Sequence, residues 1–265
     1  MHIQKTIIKI LNQTLYPFNI NIQKAYNKSL EFPIESSKRD IEIINTVLMP
    51  NGNRNERYTM VGEKRLYAAI SAVKYIEKNN IKGDIVECGV WKGGCSLAMA
   101  LTLKDLKSSR KIRLYDTFKG MTKPKNIDIK IRTKEKAFDI YNKSKNKDFV
   151  DWCYAPLDSV RKLFDDFGVL DNALFIKGDV MDTLNNKVNI PNEISILRLD
   201  TDWYESTLKE LEVLYPKLSI GGVLLLDDYG FWQGARKAVD EYFMKDLNSY
   251  PLMWVNDHFG RGLVK

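Results

Sequence analysis

Histidine and cysteine are scarce in this 265-residue chain, which has two imidazoles, His2 and His258, and three thiols, Cys88, Cys95 and Cys153. Two widely separated histidines nearly exclude a histidine-rich metal centre and a Ser-His-Asp hydrolase. Three scattered cysteines supply neither a disulfide framework nor the close Cys pairs of a zinc site. Long apolar runs are missing as well. Stretches such as residues 222–226 fall far short of the roughly 18–20 residues that span a bilayer. The first 20 residues do not read as a secretory signal either, because Lys5, Lys9 and several polar residues interrupt their apolar positions. The expectation is a cytoplasmic protein with no membrane span. Disorder is excluded by composition: 44% of residues are apolar and 11% aromatic, enough for one sizeable core.

What the chain has in excess is positive charge. Lys and Arg number 41 against 34 Asp and Glu, a net +7 that superficially suggests a nucleic-acid or membrane-surface partner. A nucleic-acid binder would also need basic residues interleaved with aromatics, or a recognised module. Neither is present, so no nucleic acid is expected. The excess is local. Residues 104–147 hold 15 basic and 5 acidic residues, a balance of +10, so the rest of the chain sums to −3.

Residues 1–57 are weakly patterned. They read as an N-terminal helical extension and strap, with an amphipathic stretch at Ile3, Ile7, Ile8, Leu11 and Leu15 that could also pair protomers into a homo-oligomer. From Tyr58 to the C-terminus a single domain is expected. Apolar residues at Leu66, Ala69, Ile70, Val73 and Ile76 have helical spacing, and a strand follows over 84–88. The pattern continues as helix (95–107), strand (111–116), a polar insertion (119–150), helix (157–167), strand (173–177), strand (194–199), helix (205–218), strand (223–226) and helix (234–243). A C-terminal hairpin closes it over 252–264. Strands alternating with helices imply an α/β fold with a doubly wound, mostly parallel sheet, in which ligands collect at the carboxyl ends of the strands.

Chemistry-bearing residues stand at those ends. The first strand ends in Glu87-Cys88-Gly89-Val90-Trp91-Lys-Gly-Gly and the second at Asp116, 29 residues beyond Glu87, where a carboxylate can accept from both ribose hydroxyls. Dinucleotide binding would need G-x-G-x-x-G to seat a pyrophosphate on the helix N-terminus. The wider glycine spacing and the acidic Glu87 suit a cationic, amino-bearing ligand better, which points to S-adenosylmethionine. The third strand ends in Gly178-Asp179-Val180, an adenine-edge site or an ordinary turn. The fourth ends in Asp200-Thr-Asp202 and the fifth in Asp227-Asp228. In such sheets these two strands are neighbours, and carboxylates crowded at one edge repel one another unless a cation joins them. Oxygen-only ligands select a hard metal, Mg²⁺ first, with Mn²⁺ or Ca²⁺ as alternatives. The competing reading makes Asp202 a cap of the following helix.

Four motifs in order, Glu-Cys-Gly-Val-Trp-Lys-Gly-Gly (87–94), Leu-Tyr-Asp-Thr-Phe-Lys-Gly-Met (114–121), Leu-Arg-Leu-Asp-Thr-Asp-Trp-Tyr-Glu-Ser-Thr (197–207) and Gly-Gly-Val-Leu-Leu-Leu-Asp-Asp-Tyr-Gly (221–230), resemble the macrocin O-methyltransferase family. The resemblance runs from about Tyr58 to the C-terminus. It implies a seven-stranded class I methyltransferase-like Rossmann fold. The implied reaction is methylation of a sugar hydroxyl, on a glycan or glycosylated natural product, with S-adenosylmethionine and Mg²⁺. It also implies roles: Asp200, Asp227 and Asp228 as metal ligands, and Asp202 as general base. Thr59, Met60, Glu87, Cys88, Gly89, Val90, Trp91, Asp116, Thr117, Phe118, Gly178, Asp179 and Val180 would line the cofactor site. Where the family often carries His-Trp-Lys, this chain has Phe231-Trp232-Gln233, and its 119–150 segment diverges. Both lie on the acceptor side, and the basic segment suggests an anionic sugar acceptor. Trp152, Tyr154, Trp203 and Trp232 are candidates to stack on it. Two other readings are a nucleotide-sugar-modifying NAD-dependent enzyme, which the glycine spacing disfavours, and a non-catalytic S-adenosylmethionine-binding protein, which would have no need of the carboxylate cluster.

Overall fold

A computed structural model describes residues 32–147, 149–245 and 250–265, so the amphipathic stretch over residues 3–15 lies outside the described residues. Pro33–Lys265 forms one compact unit. It begins with helix α1 (Lys38–Leu48), whose first turn is closed by a capping box: Ser37 accepts from the Asp40 N–H while the Asp40 carboxylate accepts from that of Ser37. Helix α2 (Glu63–Lys78) buries Leu66, Ala69, Ile70, Val73 and Ile76, the face its periodicity requires.

The sheet strands are β1 (Asp84–Cys88), β2 (Ile112–Asp116), β3 (Ala173–Lys177), β4 (Ile194–Leu199), β5 (Leu218–Leu226), β6 (Trp254–Val255) and β7 (Arg261–Val264). They lie in the order β3-β2-β1-β4-β5-β7-β6. The first five are parallel, and β7 enters antiparallel to both β5 and β6. This is the seven-stranded, doubly wound sheet with a C-terminal hairpin that the sequence predicts. Strand β4 is buried along its whole length and β5 over Val223–Leu226, as parallel strands covered on both faces must be.

The remaining helices are α3 (Gly94–Asp105), α4 (Ala137–Ser144), α5 (Leu157–Asp166), α6 (Val180–Thr183), α7 (Tyr204–Leu214) and α8 (Gln233–Met244). Several element bounds shift by one or two residues, and two differ by more. Helix α7 stops at Leu214 because Pro216, in the short turn Tyr215–Lys217, cannot continue it. Strand β5 starts at Leu218, before the Gly221-Gly222 pair, because Leu218 pairs with Ile194 of β4, and the glycines are held in the strand by Lys265: Gly221 N–H donates to the Lys265 carbonyl and Lys265 N–H to that of Gly222.

Right-handed crossovers that run β1-β2-β3 one way and β4-β5 the other must cover opposite faces of the sheet. Direction reverses between β1 and β4, and there the carboxyl ends diverge and leave a crevice.

Candidate active site

The crevice is a cavity of about 450 Å³. Into it project Asp200 and Asp202 from the turn after β4 and Asp227 and Asp228 from the end of β5. Carboxylate oxygens of Asp200, Asp202 and Asp228 lie within 4.8 Å of one another. Asp202 is not a cap: α7 starts at Tyr204 after Trp203, and no side-chain cap bond is made. Instead Asp202 has φ 69°, a left-handed conformation that L residues rarely hold and that recurs at functional sites. Trp91 and Cys153, at φ 48° and 56°, line the same cavity in the same conformation.

The electrostatics follow from crowding. Burial, sharpened by the charges of Asp200 and Asp227, pushes the Asp202 carboxyl up to about 7. Burial and the neighbouring carboxylates push Asp200 and Asp228 well above the ordinary range too. Asp202 and Asp228 are near enough to share a proton. Oδ2 of Asp228 is buried with no N–H or O–H donor directed at it. A site that attracts protons this strongly and leaves a buried oxygen without a donor fits a hard divalent cation.

Asp227 is held differently. Its Oδ1 accepts from Arg198 Nη2 at 2.5 Å and its Oδ2 from Arg65 Nη1. Although burial opposes ionisation, the two guanidiniums outweigh it and keep Asp227 below the usual carboxylate range. Arg198, only 3% exposed, also donates to Glu87 at 2.5 Å and to Asp200 at 2.7 Å. Arg65 pairs in addition with Asp257 at 3.0 Å. A continuous buried charge chain therefore joins β1, β4, β5, α2 and the turn before β7.

The expected cofactor residues divide in two. Thr59, Met60, Glu87, Gly89, Val90, Trp91 and Asp116 line the cavity. The Thr59 loop is fastened there by Gly94 N–H donating to the Tyr58 carbonyl. A Cβ on Gly89, at φ +83°, would stand 1.9 Å from the Asp200 carbonyl oxygen, so only glycine lets the β1 and β4 turns meet. Asp116 accepts the N–H groups of Val90 and Trp91 on one oxygen and of Phe118 on the other, so it organises the glycine turn as well as facing the cavity. The rest are set apart from the cavity. Cys88 and Val180 are packed in the core, and Phe118 is buried against Phe175. Thr117 donates to the Gly120 carbonyl, and Asp179 caps α6 through the Met181 N–H. Gly178 N–H donates to the Asp116 carbonyl, which puts this turn beside Asp116.

A family model described as macrocin-O-methyltransferase (TylF) matches residues 26–260. The chain belongs to the macrocin O-methyltransferase family. It is 34% identical over 187 residues (70% of this chain, 67% of the other) to 8-demethyl-8-(2,3-dimethoxy-alpha-L-rhamnosyl)-tetracenomycin-C 4'-O-methyltransferase of Streptomyces olivaceus. It is 31% identical over 191 residues (71% and 68%) to demethyldecarbamoylnovobiocin O-methyltransferase of Streptomyces niveus. The solved O-methyltransferase NovP superposes with a TM-score of 0.70 at 26% identity, covering 86% of this chain and 98% of that one. The protein is an O-methyltransferase with the class I methyltransferase fold.

In this macrocin O-methyltransferase family member, the remaining cavity wall is the one the sequence reading expects on the acceptor side. Met121, Lys130, Ile140, Trp152, Phe231, Trp232 and Phe259 form it. The insertion reaches it through backbone pairing: Ile131 N–H donates to the Phe231 carbonyl and Gln233 N–H to that of Ile129. Buried Asp128 braces the junction, accepting Tyr204 N–H at 3.0 Å and Lys125 N–H at 2.7 Å. Of the four candidate stacking aromatics, Trp152 and Trp232 face the cavity; Trp203 is buried behind them, 5.5 and 5.1 Å away between ring centres. Tyr154 stacks on Phe149 instead, outside the lining. Sequence reasoning assigned no role to Arg65, Lys130, Arg198 or Phe259. Only Arg198 carried a signal, as a charge inside an otherwise apolar strand that must be paired to be tolerated.

Proposed function

We propose that this protein moves a methyl group from S-adenosylmethionine to a hydroxyl of a sugar, with a divalent cation held at the carboxylate cluster. The observation that carries the reading is the convergence of Asp200, Asp202 and Asp228 within 4.8 Å beside a glycine-turn cavity, in a chain of this family. The curated relatives' names describe methylation of sugar-bearing natural products, which supports a sugar acceptor here.

Bound at this cluster, a hard cation such as Mg²⁺, or Mn²⁺ or Ca²⁺, would offset the crowded charge and lower the pKa of a sugar hydroxyl beside it. Asp200 and Asp228 would hold it. Asp227 would be the third ligand: each of its oxygens accepts one arginine N–H and keeps a further lone pair free. Asp202 would take the proton from the attacking hydroxyl, a task suited to a base whose carboxyl is pushed up to about 7. Glu87, Gly89, Val90, Trp91 and Asp116 would orient the methyl donor with Thr59 and Met60 over it, and the turn at Gly178, bonded to Asp116, would border its adenine end. Methyl transfer needs in-line alignment above all, and these residues would supply it from both sides of the crevice.

Titration calorimetry with S-adenosylmethionine and S-adenosylhomocysteine, with and without Mg²⁺ and chelator, tests the reading. Cofactor binding should survive chelation and turnover should not. A chain that binds neither compound refutes it.

A further inference from the structure

Three cations gather around three aromatic rings of the cavity wall. The Lys130 Nζ is 5.8 Å from the ring centres of both Phe231 and Trp232. Phe231 packs on Phe259 at 5.1 Å, and Phe259 lies between two guanidiniums, Arg65 at 5.9 Å and Arg132 at 5.5 Å. Their charges are not equally spent. Arg65 is neutralised by Asp227 and Asp257, and Lys130 Nζ rests 2.6 Å from Glu135. Exposed Arg132 meets no carboxylate among the described residues. The surrounding segment, residues 119–147, holds ten basic and three acidic residues, and one of the three, Asp128, is buried and used up on backbone N–H groups.

A cavity of about 450 Å³ is near the lower end for a drug-sized ligand, so with the methyl donor in place it leaves little more than the space of a sugar ring. Lys130 lines the cavity and exposed Arg132 stands over Phe259 of its wall, so a group attached to that sugar would emerge against them. We infer that the acceptor carries a phosphoryl group on its sugar, and that Arg132 and Lys130, mounted on the Phe259–Phe231 ring pair, select for it. Guanidinium forks match phosphate oxygens bidentately, and an ammonium beside them adds a point charge. The inference deepens the proposed methyl transfer and rests on it.

The test uses the full chain saturated with S-adenosylhomocysteine and three probes: methyl glucoside, glucose 1-phosphate and UDP-glucose. Binding is read from quenching of the cavity tryptophans and confirmed by calorimetry. The phosphate-bearing probes should bind at least about tenfold more tightly than methyl glucoside. That advantage should shrink between about 0.02 and 0.3 M salt, and it should largely vanish in the double variant Arg132→Gln, Lys130→Gln. Tighter binding of UDP-glucose than of glucose 1-phosphate identifies a nucleotide-linked acceptor; equal binding identifies a phosphate alone. Methyl glucoside binding as tightly as the other two, no binding of either phosphate probe, or an unchanged advantage in the double variant would each overturn the inference. Failure to bind S-adenosylhomocysteine at the first step would instead sink the methyl-transfer reading.

Discussion

Replacing Arg198 by methionine should destabilise the protein by about 3–5 kcal/mol, the cost of stripping one partner from a buried ionic network. The side chain donates to three carboxylates, those of Glu87, Asp200 and Asp227, and methionine fills much of its volume without any donor. With a urea m-value at the upper end for small proteins, that loss moves the unfolding midpoint down by about 1–2 M. The penalty has a definite pH sign. In the native protein Asp227 lies below its ordinary pKa, so it contributes stability above the usual carboxylate range and loses it as pH falls through that lowered value. Without the guanidinium, burial pushes Glu87 and Asp200 further up than in the native protein, and Asp227 is left with Arg65 as its one counter-charge. The folded variant then binds more protons than its unfolded chain, and its stability falls as pH rises above the unfolded value of about 4. The gap between native protein and variant should therefore be wider at pH 8 than at pH 5. Chemical unfolding followed by tryptophan fluorescence, in the presence of a chelator, measures it. A gap under about 0.5 kcal/mol, or one that narrows with rising pH, refutes the assignment of Arg198 as the counter-charge of the site.

Asp202→Asn should bind S-adenosylhomocysteine normally while turnover falls about 10²–10⁴-fold. In the native enzyme the rate should rise with pH through about 7 and level off above it, since Asp202 must be deprotonated to act; full activity in the variant reassigns the base. Gly89→Ala, with its Cβ 1.9 Å from the Asp200 carbonyl oxygen, should cost at least about 2 kcal/mol of stability and weaken cofactor binding. A midpoint equal to that of the native protein would show that the two turns can part. Asp128→Ala leaves two backbone N–H groups of the acceptor wall without their acceptor. It should raise the acceptor KM while leaving the cofactor Kd unchanged, and a change confined to the cofactor would contradict the bracing role.

Much of this architecture could be read from local patterning. Strands β1, β3 and β4 fall where apolar runs are bounded by turn residues, and Asp200, Asp202 and Asp228 meet because parallel neighbours bring their carboxyl ends together. What escaped the sequence depends on contacts across long separations. Arg65 reaches Asp227 from a helix before β1, and Phe259 enters the cavity only because β7 inserts beside β5. Helix α4 is only eight residues long and sits in a polar, lysine-rich stretch, too short a pattern to stand out. The start of β5 was hidden by Gly221-Gly222, a pair that reads as a turn until the C-terminus pairs with it. Asp116 was legible as a carboxylate facing the cavity, but not as the acceptor of three backbone N–H groups.

The insertion is tied to the loop after β5 by main-chain bonds, at Ile129, Ile131, Phe231 and Gln233. Such bonds do not depend on which side chains the residues carry. Asp128 apart, the segment can therefore exchange its side chains over evolutionary time without losing its seat above the sheet, and the charge network beneath has no stake in those exchanges. Divergence of residues 119–150 is then expected to change the range of acceptors while the chemistry stays constant. Grafting this segment between relatives is accordingly the shortest route to an enzyme of altered substrate range.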